Sequence, residues 1–345
     1  MNPMAFTVTI RQHGRPIVVE SGQTILGAAL AQCVPYPHGC QSGNCGTCKS
    51  RLYGGDVEMA AYSEYALNAE EKADGLILAC RAVPRSDAEV GWLEVDETVL
   101  HPRRRLLCRV TALDSVTHDT MRVRLAVQSG GPLAFSAGQY ARVSFGEHPA
   151  RDYSMANRPD DPVLEFHVRQ MAGGASSRYV AERLRLGEAA VVEGPFGSSF
   201  LRERHTGPII AIAGGSGLAP IKSIVETALA LGKRQPIHLY FGVRDERDLY
   251  LEDHFLALAA RHPNLSFIPV LSHPRAATGR RAGMVQDAVD ADHDSFDGRK
   301  AYLAGPPAMV EAATALLHAR GMRRQDIHAD AFYTEADKPR LEAPA

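Results

Sequence analysis

Residues 39–48 read GCQSGNCGTC, and Cys80 follows after 31 intervening residues in LILACRA. Cys40, Cys45 and Cys48 are spaced C-x4-C-x2-C. Three thiolates from one loop and a fourth from a separate segment is the spacing with which a chain wraps a [2Fe–2S] cluster. Gly39, Gly43 and Gly46 permit positive φ and close backbone approach. The loop amides then point at sulfide and thiolate sulfurs and stabilise their charge. The competing reading is structural zinc, but zinc sites usually bring two short C-x2-C pairs, and here the last cysteine stands alone. Six cysteines in 345 residues are too few for a disulfide scaffold.

On the N-terminal side, Phe6, Val8 and Ile10 alternate with polar residues as in a half-buried strand. His13-Gly14 marks a turn before a second apolar run, Ile17 to Val19. A helix is expected from Thr24, with Leu26, Leu30 and Cys33 on one face, so Cys33 reads as a core residue. On the other side, residues 98–105 break all periodicity and read as a linker. From Leu106 to about residue 200 short strands follow one another, with Cys108 on a core face; an antiparallel barrel or sandwich is expected. After His205 strands (PIIAIA, HLYFGV, SFIPVL, AYLAG) alternate with helical stretches (221–232, 250–261, 307–321), which argues a doubly wound parallel sheet. The chain therefore reads as multidomain α+β, with domains at 4–98, 103–203 and 206–335. EADKPRLEAPA, at the end, reads as a frayed tail.

Composition narrows the function classes. Hydrophobic residues make up 45% and charged residues 23%, ordinary globular values. No apolar run approaches the ~18 residues of a membrane span. MNPMAFTVTIRQ has no basic segment followed by an apolar one, so a cytoplasmic protein is expected. Residues 1–98 hold 7 Lys and Arg against 12 Asp and Glu, the remainder 31 against 28. Without a basic stripe, nucleic acid is excluded as a partner. The acidic first third suits docking to a basic surface, or is an ordinary solvated face.

Two further groups carry chemistry. Arg151-Asp152-Tyr153-Ser154 follows an apolar strand, and Gly173-Gly174-x-x-Ser177 opens a helix where amides converge on an anion. Arg151 offers a phosphate a charge and Tyr153 a flat ring a face. Taken alone, these are equally a strand end with a solvated arginine and a turn. Gly215-x-Gly217-x-x-Pro220 lies between a strand and a helix, the setting a dinucleotide loop needs. Gly305-Pro306-Pro307 repeats that setting. The alternative is two tight turns between strand and helix.

Taken together, CQSGNCGTC with Cys80, RDYSMAN, HVRQMAGGASS, GPFG, AGGSGLAPIKS and AGPPAMV resemble, in order, a known family. It comprises reductases that join a plant-type ferredoxin domain to a ferredoxin-NADP+-reductase-like module and feed aromatic-ring oxygenases. RDYSMAN, GLAPIKS and DIHADAFYT look most like the terephthalate-type reductases, within a group that includes naphthalene and benzoate types. The resemblance implies a β-grasp ferredoxin domain, a flavin-binding β-barrel and a nucleotide-binding α/β domain. It implies Cys40, Cys45, Cys48 and Cys80 as cluster ligands, and Arg151, Tyr153 and Ser154 as flavin contacts, with Ser154 beside the reactive N5. It implies His167, Val168, Arg169, Gly174 and Ser177 as FAD backbone and phosphate contacts. Gly215, Ser216, Gly217, Gly305 and Pro306 match nicotinamide-cofactor contacts, and Phe332 an aromatic close to the flavin. Many relatives have Cys where this chain has Ala304, and Glu-x-Phe where it has Asp330-Ala331-Phe332.

The implied electron path runs from NADH or NADPH to FAD to [2Fe–2S], then to a terminal oxygenase, a Rieske-type one in first place, or an intermediary ferredoxin. Flavin mediates because it exchanges electrons singly or in pairs. A diiron monooxygenase, a sugar-deoxygenation partner and a non-catalytic redox-sensing module are the alternatives. Arg244, after HLYFGV, meets a 2′-phosphate, stacks on adenine or faces water; NADH is the expected reductant. A monomer is expected.

Overall fold

The computed structural model describes residues 5–64, 66–93, 97, 99 and 101–334. They pack as two units, residues up to 100 together with those from 333, and residues 101–332.

In the first unit, β1 (Ala5–Ile10) and β2 (Pro16–Glu20) form the hairpin that the alternation predicts. α1 (Ile25–Ala31) begins where the Thr24 hydroxyl accepts the Gly27 amide at 3.1 Å. Then come β3 (Lys49–Gly54), β4 (Val57–Met59), α2 (Ala69–Ala73), β5 (Leu76–Leu78), β6 (Ala82–Pro84) and β7 (Ala88–Trp92). The sheet order is β2-β1-β7-β3-β5, with β1 parallel to β7 and antiparallel to β2. Ile25, Leu26, Ala28 and Ala29 of α1 join Val8, Ile10, Val19 and Val90 in one core. A mixed sheet grasping one helix is the expected ferredoxin architecture. Cys33 is not in that core. It is exposed, at φ +59, one residue beyond the cap. The amides of Cys33 and Val34 bond to the carbonyls of Leu30 and Ala29, so the helix ends in a Schellman turn. The reversal carries Val34, not Cys33, into the core.

The second unit holds two lobes. β8 (Arg104–Ser115), β9 (Thr120–Ser129), β10 (Tyr140–Phe145), β11 (Arg151–Ser154), β12 (Val163–Arg169), α3 (Ala175–Glu182) and β13 (Ala189–Phe196) build the first. The sheet order β11-β10-β13-β8-β9-β12 is antiparallel throughout. A bridge between Met155 and Phe166 joins its two edges into a nearly closed barrel. Cys108 is buried in its core, as expected. β8 takes in Arg104 and Arg105, so the expected linker is shorter than residues 98–105; residues 98 and 100 lie outside the described ones.

The second lobe is built from β14 (Ile209–Gly214), α4 (Leu218–Ala230), β15 (Ile237–Val243), α5 (Glu252–Arg261), β16 (Leu265–Leu271), β17 (Arg281–Ala282), α6 (Val285–Asp292), β18 (Lys300–Gly305), α7 (Pro307–Ala319) and β19 (Ile327–Ala331). All six strands are parallel, in the order β17-β16-β15-β14-β18-β19. Ile209, Ala211 and Ala213 face α4 and α5, while Ile210 and Ile212 face α6 and α7, the doubly wound arrangement. The chain runs outward from β14 to β17 and returns to β18 on its other side. The crevice at the carboxyl ends of β14 and β18 is therefore the topological switch point. The tail EADKPRLEAPA lies outside the described residues.

Candidate functional site

The cysteine loop fits an anionic sulfur cluster. Cys40 Sγ lies 3.5 Å from the Ser42 amide and 3.3 Å from that of Asn44. The Cys40 amide points at Cys45 Sγ at 3.4 Å, and the Cys80 amide at Cys48 Sγ at 3.5 Å. Donors aimed at sulfur are what thiolates bound to iron need. The Cys40 thiol is held well below its ordinary range by its hydrogen bond with Cys45 and, against burial, by the Ser42 and Asn44 amides. The Cys48 thiol is raised, first by its hydrogen bond with Cys80 and then by burial. The thiols thus fall into two pairs, Cys40 with Cys45 and Cys48 with Cys80. Among the described residues no three His, Cys, Asp or Glu gather as a single-ion site. Gly43 and Gly46 have φ +81 and +73, as the loop reading expects. Gly39 is not left-handed; it is small because a Cβ would press on Cys45 Sγ at 3.1 Å. The left-handed turn falls instead on Gln41, at φ +56. In the same unit the Tyr333 hydroxyl donates to the Asn44 carbonyl at 3.2 Å, pinning the loop.

In the second unit the flavin candidates line the end of the barrel. Arg151 is exposed on β11 and Tyr153 half-buried beside it, its hydroxyl raised by burial to about 12. Ser154 is buried next to the closing bridge and donates to Asp330 Oδ2 at 3.2 Å, across 176 residues. Gly174 caps α3 without a side-chain hydrogen bond, leaving its first amides for an anion. Ser177 accepts the Met171 amide at 3.1 Å and donates to the Gly174 carbonyl, so its hydroxyl shapes this loop from within. Val168 packs in the barrel core and pairs with Met121 of β9. The His167 side chain is buried against Tyr250 and Glu165, and Arg169 pairs with Asp119 at 2.8 Å. These residues fit a flavin dinucleotide at the barrel mouth.

The two Gly-rich turns meet backbone to backbone. Gly215 sits at φ +53 and Gly305 at φ +145, and a Cβ on Gly305 would reach the Gly214 carbonyl at 2.8 Å. Gly217 lies against Ala304 and Gly305 in the same way. Ser216 is half-buried between these glycines. Pro306 caps α7, with Pro307 at its first turn. Phe332 donates its amide to the Gly305 carbonyl at 2.9 Å, so the aromatic stands beside this turn. Arg244 is exposed, with its Nε 3.9 Å from Asp248. The structure thus brings Ser154, Gly215, Gly217, Gly305, Pro306 and Phe332 to one end of the unit, while Arg244 stands at the end of β15. The turns fit a dinucleotide.

Comparison with known proteins agrees with this geometry. Residues 8–85 match the 2Fe-2S iron-sulfur cluster binding domain, 107–200 the oxidoreductase FAD-binding domain and 211–315 the oxidoreductase NAD-binding domain. The ferredoxin–NAD(P)+ reductase component of naphthalene 1,2-dioxygenase/salicylate 5-hydroxylase systems of a Ralstonia species is 43% identical, over 91% of this chain and 94% of that protein. Its counterpart in a Pseudomonas putida naphthalene 1,2-dioxygenase system is 40% identical, over 94% and 98%. The crystal structure of an Amycolatopsis cytochrome P450 reductase, 40% identical, superposes with a TM-score of 0.76 over 95% of this chain and 98% of that one. The chain belongs to the family of iron–sulfur flavoprotein reductases that serve as reductase components of multicomponent oxygenase systems. It is an NAD(P)H-dependent oxidoreductase with [2Fe–2S], FAD and nicotinamide-nucleotide domains, so the zinc and non-catalytic readings fall away.

Proposed function

We propose that this protein passes electrons from NADH to the oxygenase, Rieske-type, or the intermediary ferredoxin of an aromatic-ring-hydroxylating system. The observation that carries this is the nearly full-length similarity to two naphthalene dioxygenase reductases. Bound FAD supplies the exchange between paired and single electrons, and the cluster supplies one-electron exit. Cys40, Cys45, Cys48 and Cys80 hold the cluster. Arg151, Tyr153 and the α3 amides seat the flavin, and the turns at Gly215 and Gly305 seat the dinucleotide. Ser154 Oγ, with its proton directed at Asp330 Oδ2, is the polar group offered to the flavin ring.

The preference for NADH follows from charge at the end of β15. Arg244 faces Asp248, Arg275 faces Asp245 at 3.3 Å, and Arg280 faces Glu252 at 2.7 Å. A 2′-phosphate would have to compete with these carboxylates for the arginines. Steady-state kcat/KM with each nucleotide tests this, and equal or better use of NADPH overturns it. No helix among the described residues is long and apolar enough to cross a membrane. The acceptor reading is tested by mixing protein reduced by NADH with purified Rieske oxygenase, ferredoxin and P450 candidates. Fast reoxidation by the P450 alone overturns it.

A further inference from the structure

β12 divides its side chains between two environments. Leu164, Phe166 and Val168 belong to the barrel core, while Glu165, His167 and Arg169 share the other face at a two-residue period. That face meets the nucleotide lobe. Glu165 lies 3.3 Å from Lys222 Nζ on α4 and accepts Arg124 Nε at 2.8 Å. His167 stands with Nε2 3.3 Å from Glu165 and Nδ1 3.0 Å from the Tyr250 hydroxyl. That hydroxyl is also 3.3 Å from the carbonyl of Gly215. Arg169 approaches the same turn, its Nη1 3.4 Å from where a Gly215 Cβ would stand.

The chain Glu165–His167–Tyr250–Gly215 is almost waterless: the three side-chain residues are 3%, 4% and 5% exposed. Buried polar groups are stable in the arrangement that satisfies them and costly in others, so they fix register better than an apolar contact does. The Tyr250 ring is itself fixed, edge-on to Phe241 with centroids 5.5 Å apart, and the chain reverses at Leu251 with φ +56. With Nε2–H directed at Glu165, His167 Nδ1 is an acceptor, and the phenol proton is shared between it and the Gly215 carbonyl. Burial favours this neutral ring. One hydroxyl therefore ties the barrel strand that carries flavin-contact candidates to the turn that carries dinucleotide-contact candidates.

We propose that Tyr250 is a positioning residue for the nicotinamide nucleotide, holding the Gly215–Gly217 turn in register with the flavin barrel through Glu165 and His167. This rests on reading that turn as the dinucleotide loop. The test is Tyr250→Phe in the FAD- and cluster-loaded protein, which keeps the ring and removes the hydroxyl. FAD content stays near wild type, while the thermal midpoint falls by a few degrees because His167 Nδ1 and the Gly215 carbonyl lose their donor. Hydrogen exchange at the amides of residues 215–218 accelerates. The limiting rate of flavin reduction at saturating NADH falls about two- to tenfold, the scale of one hydrogen bond. Unchanged exchange with an unchanged limiting rate overturns the proposal, as does a lowered midpoint with a normal rate per bound FAD. NAD+ protection of the 215–218 amides in the wild type separates the two readings. If NAD+ protects them and Tyr250→Phe alters neither exchange nor rate, the positioning role alone fails. If NAD+ does not protect them, the loop reading fails with it.

Discussion

Gly217→Ala isolates the contact between the two Gly-rich turns. Gly217 has φ −61, which alanine adopts without strain, so the effect of the substitution is steric. The new Cβ overlaps the carbonyl of Ala304 and stands 2.7 Å from the Gly305 nitrogen. Carbon contacts become favourable near ~3.5 Å, so the turns must part by on the order of 1 Å. Ala304 cannot yield, because β18 is paired to β14 at Ala213 and to β19 at Asp330. The movement falls on residues 215–217. A displacement of about 1 Å in a positioning element costs on the order of a hundredfold in rate. Anaerobic stopped-flow reduction of the flavin by NADH should show that loss, while dithionite reduces flavin and cluster normally. Gly279→Ala, where a Cβ meets nothing within 4 Å, is the control. Flavin reduction by NADH within about twofold of wild type, a difference below 0.5 kcal/mol, would refute the reasoning.

Cys45→Ala should abolish NADH-driven cytochrome c reduction and leave reduction of a small two-electron acceptor largely intact; equal loss of both contradicts the modular path. Ser154→Ala removes the hydroxyl bonded to Asp330 and should slow flavin reduction more than it weakens FAD retention, read by stopped flow and by FAD content after gel filtration. Burial alone would raise the Glu165 carboxyl, but His167, Lys222 and Arg124 outweigh it and hold it well below the usual range. Its stabilisation is therefore complete above the unfolded value of about 4.3 and is lost as pH falls through the lower folded value. Glu165→Gln should flatten the decline of the thermal midpoint between about pH 5 and pH 3, and an unaltered slope counts against the pairing.

What the sequence discloses and what it withholds divide by range of interaction. The cysteine loop, the first hairpin and the strand–helix alternation after residue 205 are legible because each depends on neighbours in the chain. Even there, local geometry redistributes the roles: Gln41, not Gly39, joins Gly43 and Gly46 in left-handed geometry, and the Schellman turn after α1 moves Cys33 outward. Ser154 and Asp330 meet across 176 residues, and no pattern in either segment announces the partner. The polar face of β12 is the instructive middle case. The alternation in LEFHVR is visible in the sequence, and it states that Glu165, His167 and Arg169 share a face. Two-residue alternation ordinarily means one face in water. Here that face is closed by α4 and Tyr250, and the only trace is that a glutamate, a histidine and an arginine stand where a solvated strand would accept almost any polar residue. Charge of both signs interleaved on one strand face is therefore a sign of a polar seam between lobes. The sign becomes readable only when, as here, the opposing lobe supplies Lys222 and a tyrosine whose hydroxyl reaches the dinucleotide turn.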